Sequence, residues 1–251
     1  MNAPFSIAVA GKGGTGKTTI SALLVRSFVE EGQVPVLAVD ADPNANLHEA
    51  LGVKVGESLG RMREEAFTRS IPPGMTRQEY IRYRFRQVLV EGAGFDLLVM
   101  GRPEGSGCYC FANDLLQSCM CSLERDYRFV VIDSEAGMEH ISRGTIGKPD
   151  LILIVTDPGA RGMRTAERIR EIALSLGLDG GRMHLIVNRF MGETTPADHP
   201  HLPTIALIPE DRAVQEADLA GTPIAAIPGE SPAMYAIREL AGRIIGISRA
   251  R

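Results

Sequence analysis

Residues 11–18 read Gly-Lys-Gly-Gly-Thr-Gly-Lys-Thr, and Thr19 follows. The spacing fits G-x-x-x-x-G-K-[ST], whose chemistry is the grip on a polyphosphate. Gly11, Gly13, Gly14 and Gly16 carry no side chain to block the approach, so backbone amides around Thr15 can converge on phosphate oxygens. Lys17 is expected to reach the β- and γ-phosphates of ATP. The Thr18 hydroxyl is expected on Mg²⁺, and the Thr19 hydroxyl on the α-phosphate. A second reactive set lies far away in the chain, where all four cysteines fall between Cys108 and Cys121. Cys108 and Cys110 are two apart. In an extended segment both thiols leave the same face and can chelate one metal ion.

Two sulfurs do not complete a four-coordinate site for a soft or borderline metal. One source of two more is Cys119 with Cys121. The apolar spacing of residues 111–125 predicts a helix, which puts Cys119 about 13 Å along the axis from Cys110 at roughly 1.5 Å per residue. Metal–sulfur bonds of about 2.3 Å cannot close that gap unless the helix is broken. The other source is the same Cys108/Cys110 pair on a second subunit across a two-fold axis. Cys119 and Cys121 are then buried helix cysteines or auxiliary ligands.

The phosphate loop needs a strand before it and a helix after it. Phe5–Ala10 is a short apolar run that reads as a buried strand, and Ile20, Leu23, Leu24 and Phe28 have helical period. Further apolar runs at Val34–Val39, Phe95–Met100, Phe129–Ile132, Leu151–Val155, Met183–Val187 and Thr204–Ile208 read as strands. Helical pattern fills residues 45–92, broken by Pro72-Pro73-Gly74, and returns at Gly162–Leu176 and Ser231–Ile247. This alternation predicts an α/β fold in one domain over residues 1–251, a mostly parallel sheet with helices on both faces. Ligands of such sheets bind at the carboxyl ends of the strands. Asp40 and Asp42, Asp133, Asn188, and Pro209 with Asp211 all fall at or just beyond such ends. An apolar strand ending in Asp133 is the expected place of a Mg²⁺-associated carboxylate in a phosphate-loop ATPase.

Lys and Arg total 27 against 31 Asp and Glu, a formal charge of −4. No global basic field draws the chain to nucleic acid or an anionic membrane. The stretch Arg77–Arg86 mixes Arg77, Arg82, Arg84 and Arg86 with Tyr80, Tyr83 and Phe85, a mixture that can touch a phosphate polymer or an acidic partner but is more often an amphipathic helix with solvated arginines. No run is long and apolar enough to span a bilayer, and residues 1–19 lack the apolar core of a secretory signal. A cytoplasmic location follows, where clustered cysteines read as metal or redox thiols rather than disulfides.

Lys12, directly after Gly11, makes the loop resemble that of the MinD/ParA/nitrogenase-iron-protein class of ATPases (SIMIBI-type phosphate-loop NTPases). The resemblance implies a homodimer in which Lys12 reaches the partner's nucleotide. It also implies that Asp42 of the D-x-D-P segment orients the attacking water and that Asp40 contacts the Mg²⁺ hydration shell. Asn188, with the segment containing Pro209 and Asp211, would read the adenine. Gly-Arg-Pro-Glu-Gly-Ser-Gly-Cys-Tyr-Cys (residues 101–110) and Val-Ile-Asp-Ser-Glu-Ala-Gly-Met-Glu-His (131–140) narrow the match to the CooC-type nickel-insertion ATPases of carbon monoxide dehydrogenase maturation. Those imply ATP-dependent dimers that bind Ni²⁺, and also Zn²⁺, at Cys108 and Cys110 of both subunits. Their client is apo carbon monoxide dehydrogenase or, in a related branch, acetyl-CoA synthase. The nitrogenase iron protein also draws cluster cysteines from a segment after its second switch, and here no cysteine follows Cys121. Iron-protein-like electron transfer and MinD/ParA-like positioning are therefore the alternative readings. The last helix, with Arg238, Arg243 and Arg249, is a weaker candidate for a membrane-surface helix of the MinD kind.

Overall fold

The computed structural model describes residues 4–68, 71–101, 118, 120–134, 147–192 and 199–251. Its centre is an eight-stranded sheet. The strands are β1 (Phe5–Gly11), β2 (Val36–Ala41), β3 (Val90–Glu91), β4 (Phe95–Val99), β5 (Phe129–Ser134), β6 (Leu151–Thr156), β7 (Met183–Phe190) and β8 (Thr204–Pro209). Their spatial order is β3-β4-β2-β5-β1-β6-β7-β8, all parallel except the edge strand β3, which runs antiparallel to β4. The central strands are continuous apolar runs because both of their faces are covered. The two-residue β3 is too short to leave a periodic signal, and sequence pattern does not reveal it.

Helix α1 (Lys17–Glu30) and helix α2 (Leu47–Leu51) cover one face, together with the last helix, α7 (Pro232–Arg249). Helices α3 (Leu59–Thr68) and α4 (Arg77–Gln87) cover the other face over β2, β4 and β5. There α5 (Ala160–Ser175) covers β1, β6 and β7, while α6 (Arg212–Ala220) follows β8. Residues 45–92 hold three helices rather than two. Gly52, with φ of 75°, ends α2 in a left-handed turn, and Val53 and Val55 then pack on the core.

Alternation along a strand sorts side chains between the faces. Phe129 and Val131 point to the α1 side, as do Val36 and Ala38. By the same parity Asp133 and Asp40 end on the α1 side, which is where the phosphate loop leads. Helix α7 starts at a Ser231 N-cap with Pro232 in its first turn. It buries Met234, Ile237, Leu240, Ala241 and Ile244 against β8 and α1. Its apolar face is thus spent on the core and is not available to a membrane. Among the described residues no helix is long and apolar enough to cross one.

In α4 the arginines do not all face water. Arg84 donates to both carboxylate oxygens of Glu57, at 2.9 and 2.7 Å, while Arg82 and Arg86 are exposed. The capping box of Thr76 with Glu79 starts this helix.

Candidate functional site

Residues 12–16 turn between β1 and α1, and the turn depends on missing side chains. A Cβ on Gly11 would lie 2.4 Å from the Val155 carbonyl oxygen of the neighbouring strand. Gly16 has φ of 94°, and a Cβ there would lie 2.3 Å from Asn188 Nδ2. Thr15 tightens the turn, its Oγ1 donating to the Lys12 carbonyl at 2.8 Å. Helix α1 begins with no side-chain cap. Its first amides and the positive end of its dipole are left for an anion. Lys17 is buried at the helix start, and Lys12 is exposed on the outer rim.

Beneath the loop lies the acidic pair. Asp40 and Asp133 are register partners in the parallel β2–β5 ladder and are 0% and 1% exposed. Thr18 Oγ1 donates to Asp133 Oδ2 at 2.6 Å, and Ser21 Oγ donates to Oδ1 at 3.3 Å. Burial pushes the Asp133 carboxyl up to about 7, helped by the nearby charges of Asp40 and Asp42 and opposed by the Thr18 bond and Lys17. Burial likewise raises Asp40 to about 6, although the amides of Leu47 and Asp42 donate to it at 2.9 and 3.2 Å. Asp40 thereby ties down the segment that follows β2. Asp42 caps its own turn, accepting from the Asn44 amide at 2.8 Å, and is half-buried beside the loop.

A hard cation suits this arrangement. Two buried carboxyls whose charge is disfavoured gain most from a nearby positive ion, and Thr18 holds the phosphate loop to Asp133. Among the described residues no three His, Cys, Asp or Glu side chains gather as a metal site of their own. Magnesium characteristically shares its shell among few protein groups, phosphates and water.

A pocket on the far side of the loop is lined by Gly16, Thr19, Asn188, Arg189, Pro209 and Asp211, among others. Asn188 donates from Nδ2 to the Thr15 carbonyl at 2.8 Å, so its Oδ1 is the acceptor left for a ligand. Asp211 is committed elsewhere. Its Oδ1 accepts from Ala213 and its Oδ2 from Ala233, each at 2.8 Å, which caps α6 and pins α7 to the pocket wall. Pattern reading singled out Asp211 but gave no hint of this bracing. Ser21 and Arg189 were not singled out either. The signal for Ser21 is its place one turn after Thr18, on the same helix face as the Asp133 carboxylate.

Cys108, Cys110 and Cys119 lie outside the described residues, as do residues 135–146. Residues 120–124 are helical, as the apolar spacing predicts. Cys121 is exposed rather than buried, and its neighbour Met120 takes the inward position.

The fold and the loop define a phosphate-loop nucleotide-binding protein. The family model of the CobQ/CobB/MinD/ParA nucleotide binding domain matches residues 6–224, and the chain belongs to that family of ATPases. An uncharacterized ATP-binding protein of Methanocaldococcus jannaschii is 40% identical over 248 residues, covering 95% of this chain and 98% of its own. The carbon monoxide dehydrogenase accessory protein CooC of Rhodospirillum rubrum is 36% identical over 235 residues, covering 86% and 87%. In fold, the chain is similar to the Pyrococcus horikoshii septum site-determining protein MinD complexed with Mg-ADP. The TM-score is 0.70, with 24% identity and 98% of both chains covered.

Proposed function

We propose that this chain is an ATP-dependent nickel-insertion metallochaperone. It acts as a homodimer and serves the maturation of carbon monoxide dehydrogenase or the related acetyl-CoA synthase. The observation that carries the reading is the Cys108-Tyr109-Cys110 motif in a chain that is 36% identical to a carbon monoxide dehydrogenase accessory protein. The phosphate loop, the buried Asp133 and the pocket beside Asn188 support ATP as the nucleotide. A guanine would present an acceptor where adenine presents its amino group, and the free Asn188 Oδ1 favours adenine.

In this mechanism the loop amides and Lys17 hold the phosphates. Thr18 and Asp133, with Asp40 at the hydration shell, would hold Mg²⁺, which would supply charge neutralisation on the phosphates. Asp42 orients the attacking water. Lys12 of each subunit reaches the partner's phosphates, so hydrolysis waits for the dimer. Closure brings the two Cys108/Cys110 pairs together around Ni²⁺, and Zn²⁺ can occupy the same four thiolates. Hydrolysis then loosens the dimer and opens the tetrathiolate to the client enzyme. By linkage, metal favours the dimer as much as the dimer favours metal.

The test is a Ni²⁺ titration of the reduced protein, following sulfur-to-metal charge-transfer absorption and molecular mass together. One metal per dimer with a monomer-to-dimer shift supports the reading. In the Cys108→Ser/Cys110→Ser double variant metal binding is lost while ATP binding persists. Tight metal binding retained in that variant overturns the assignment. A septum-positioning role draws support from MinD of Bacillus subtilis, 28% identical over 257 residues. The cysteine pair and the buried apolar face of α7 favour the metal reading over it.

A further inference from the structure

Arg189 adopts a left-handed backbone with φ of 55°, a region that costs a non-glycine residue free energy and that clusters at functional sites. It sits where β7 and β8 slip register. Val187 pairs with Leu207 and Phe190 with Pro209, so Asn188 and Arg189 together oppose Ile208. The extra residue lets two successive side chains serve one ligand loop, which regular alternation would prevent. Asn188 Nδ2 donates to the Thr15 carbonyl at 2.8 Å, and Arg189 Nη1 donates to the Gly14 carbonyl at 3.2 Å. Consecutive carbonyls of the phosphate loop are therefore gripped from a single bulge.

The grip has a directional consequence. In a planar trans peptide the N–H points opposite to the C=O. Holding the Gly14 and Thr15 carbonyls toward the bulge fixes the amides of Thr15 and Gly16 on the opposite side. Within the loop, Thr15 closes the turn on the Lys12 carbonyl through its Oγ1 at 2.8 Å and its amide at 3.3 Å, while Gly14 and Gly16, with positive φ of 80° and 94°, have no side chains of their own, so the Gly14 and Thr15 carbonyls are held from the bulge.

We propose that Arg189 is a positioning residue for the phosphate loop. Although it lines the base pocket, it acts on phosphate binding by fixing the Gly14–Thr15 peptide, and its strained backbone is the means of that reach. The inference rests on reading the loop as the ATP site.

The test compares binding of MgATP and of magnesium tripolyphosphate, which has no base, by titration calorimetry. Arg189→Ala weakens both by about tenfold, the worth of one hydrogen bond from a charged donor. Arg189→Lys recovers part of the loss. Arg189→Gly loses affinity as the alanine variant does, yet melts at the same temperature or higher, because glycine adopts the left-handed backbone without strain. Unchanged tripolyphosphate affinity in Arg189→Ala overturns the inference, whatever happens to ATP. Wild-type protein that binds neither ligand overturns the ATP-site reading itself and this inference with it.

Discussion

Asp40 and Asp133 stand side by side in the β2–β5 ladder, both buried, and their carboxylates have different partners. Asp133 accepts from the Thr18 hydroxyl of the phosphate loop, whereas Asp40 accepts from the backbone amides of Asp42 and Leu47. One carboxylate is therefore tied to the phosphate loop and the other to the segment that follows β2. Their proximity raises the cost of charging both, and this cost is present whenever no cation is bound.

Asp133→Asn removes a buried carboxylate and keeps an oxygen for Thr18. The nucleotide-free variant, measured at pH 8 with EDTA, is expected to melt several degrees higher. This corresponds to about 1–3 kcal/mol at about 2–4 °C each for a chain of this size. Its ATPase rate should fall at least a hundredfold. A variant that is less stable than wild type would show that Asp133 is held by favourable contacts and not by function.

Gly16→Ala places a methyl group 2.3 Å from Asn188 Nδ2 on a left-handed backbone. The cost is expected at about 1–3 kcal/mol, with ATP affinity lost at the same time. Gly13→Ala meets no atom within 4 Å and should leave the melting temperature unchanged. Equal melting temperatures for the two variants would contradict the packing described for Gly16.

Lys12 is exposed on the rim of the loop. If its role is to complete a partner's site, Lys12→Ala should bind ATP within about threefold of wild type while hydrolysis falls by about 10³-fold, the scale of a cation supplied in trans. Mixing Lys12→Ala with an Asp42→Asn variant tests the exchange directly. Partial recovery of hydrolysis is expected, because one composite site then carries both intact groups.

His184 on β7 is half-buried, and burial holds its imidazole below the ordinary 6.5. Its Nδ1 has no hydrogen-bond partner. With the folded pKa depressed, the unfolded chain binds more protons as pH falls below about 6.5, so stability drops there and is recovered as pH rises. His184→Leu should flatten the melting temperature between pH 5 and 7. An unchanged acid slope would assign that loss of stability to other groups.

Arg84→Ala removes the Nη2 that donates to both carboxylate oxygens of Glu57 in a partly buried pair and should cost about 1–2 kcal/mol in thermal unfolding. Arg82→Ala and Arg86→Ala, at exposed positions of the same helix, should each stay within about 0.5 kcal/mol of wild type.

The parts of this molecule that repeat were legible in sequence, and the parts that depend on a single side chain were not. Continuous apolar runs marked β1, β2 and β4–β8 because a strand buried on both faces admits little else. Glycine spacing and Lys17-Thr18 marked the loop because the phosphate grip tolerates few alternatives. The extra break in residues 45–92 went unseen, since Gly52 is a single left-handed residue within otherwise helical composition. Arg84 looked like its solvated neighbours because its partner Glu57 is distant in sequence. The bond from Asn188 to the Thr15 carbonyl and the bracing by Asp211 are relationships between elements, and only the assembled sheet displays them.

The amide of Met100 donates to the carbonyl of Asp40 at 2.8 Å, and Gly101 follows with φ of 69°, a Cβ there meeting Ser58 Oγ at 2.5 Å. The cysteine-bearing stretch thus departs from a fixed mooring on the strand that carries Asp40. The return is moored as well, for Met120 and Tyr127 are buried against the face of β2, β4 and β5, the Tyr127 hydroxyl donates to Asp96 and the Arg128 amide to the Pro35 carbonyl, so both ends of the excursion answer to the sheet that carries Asp40 and Asp133.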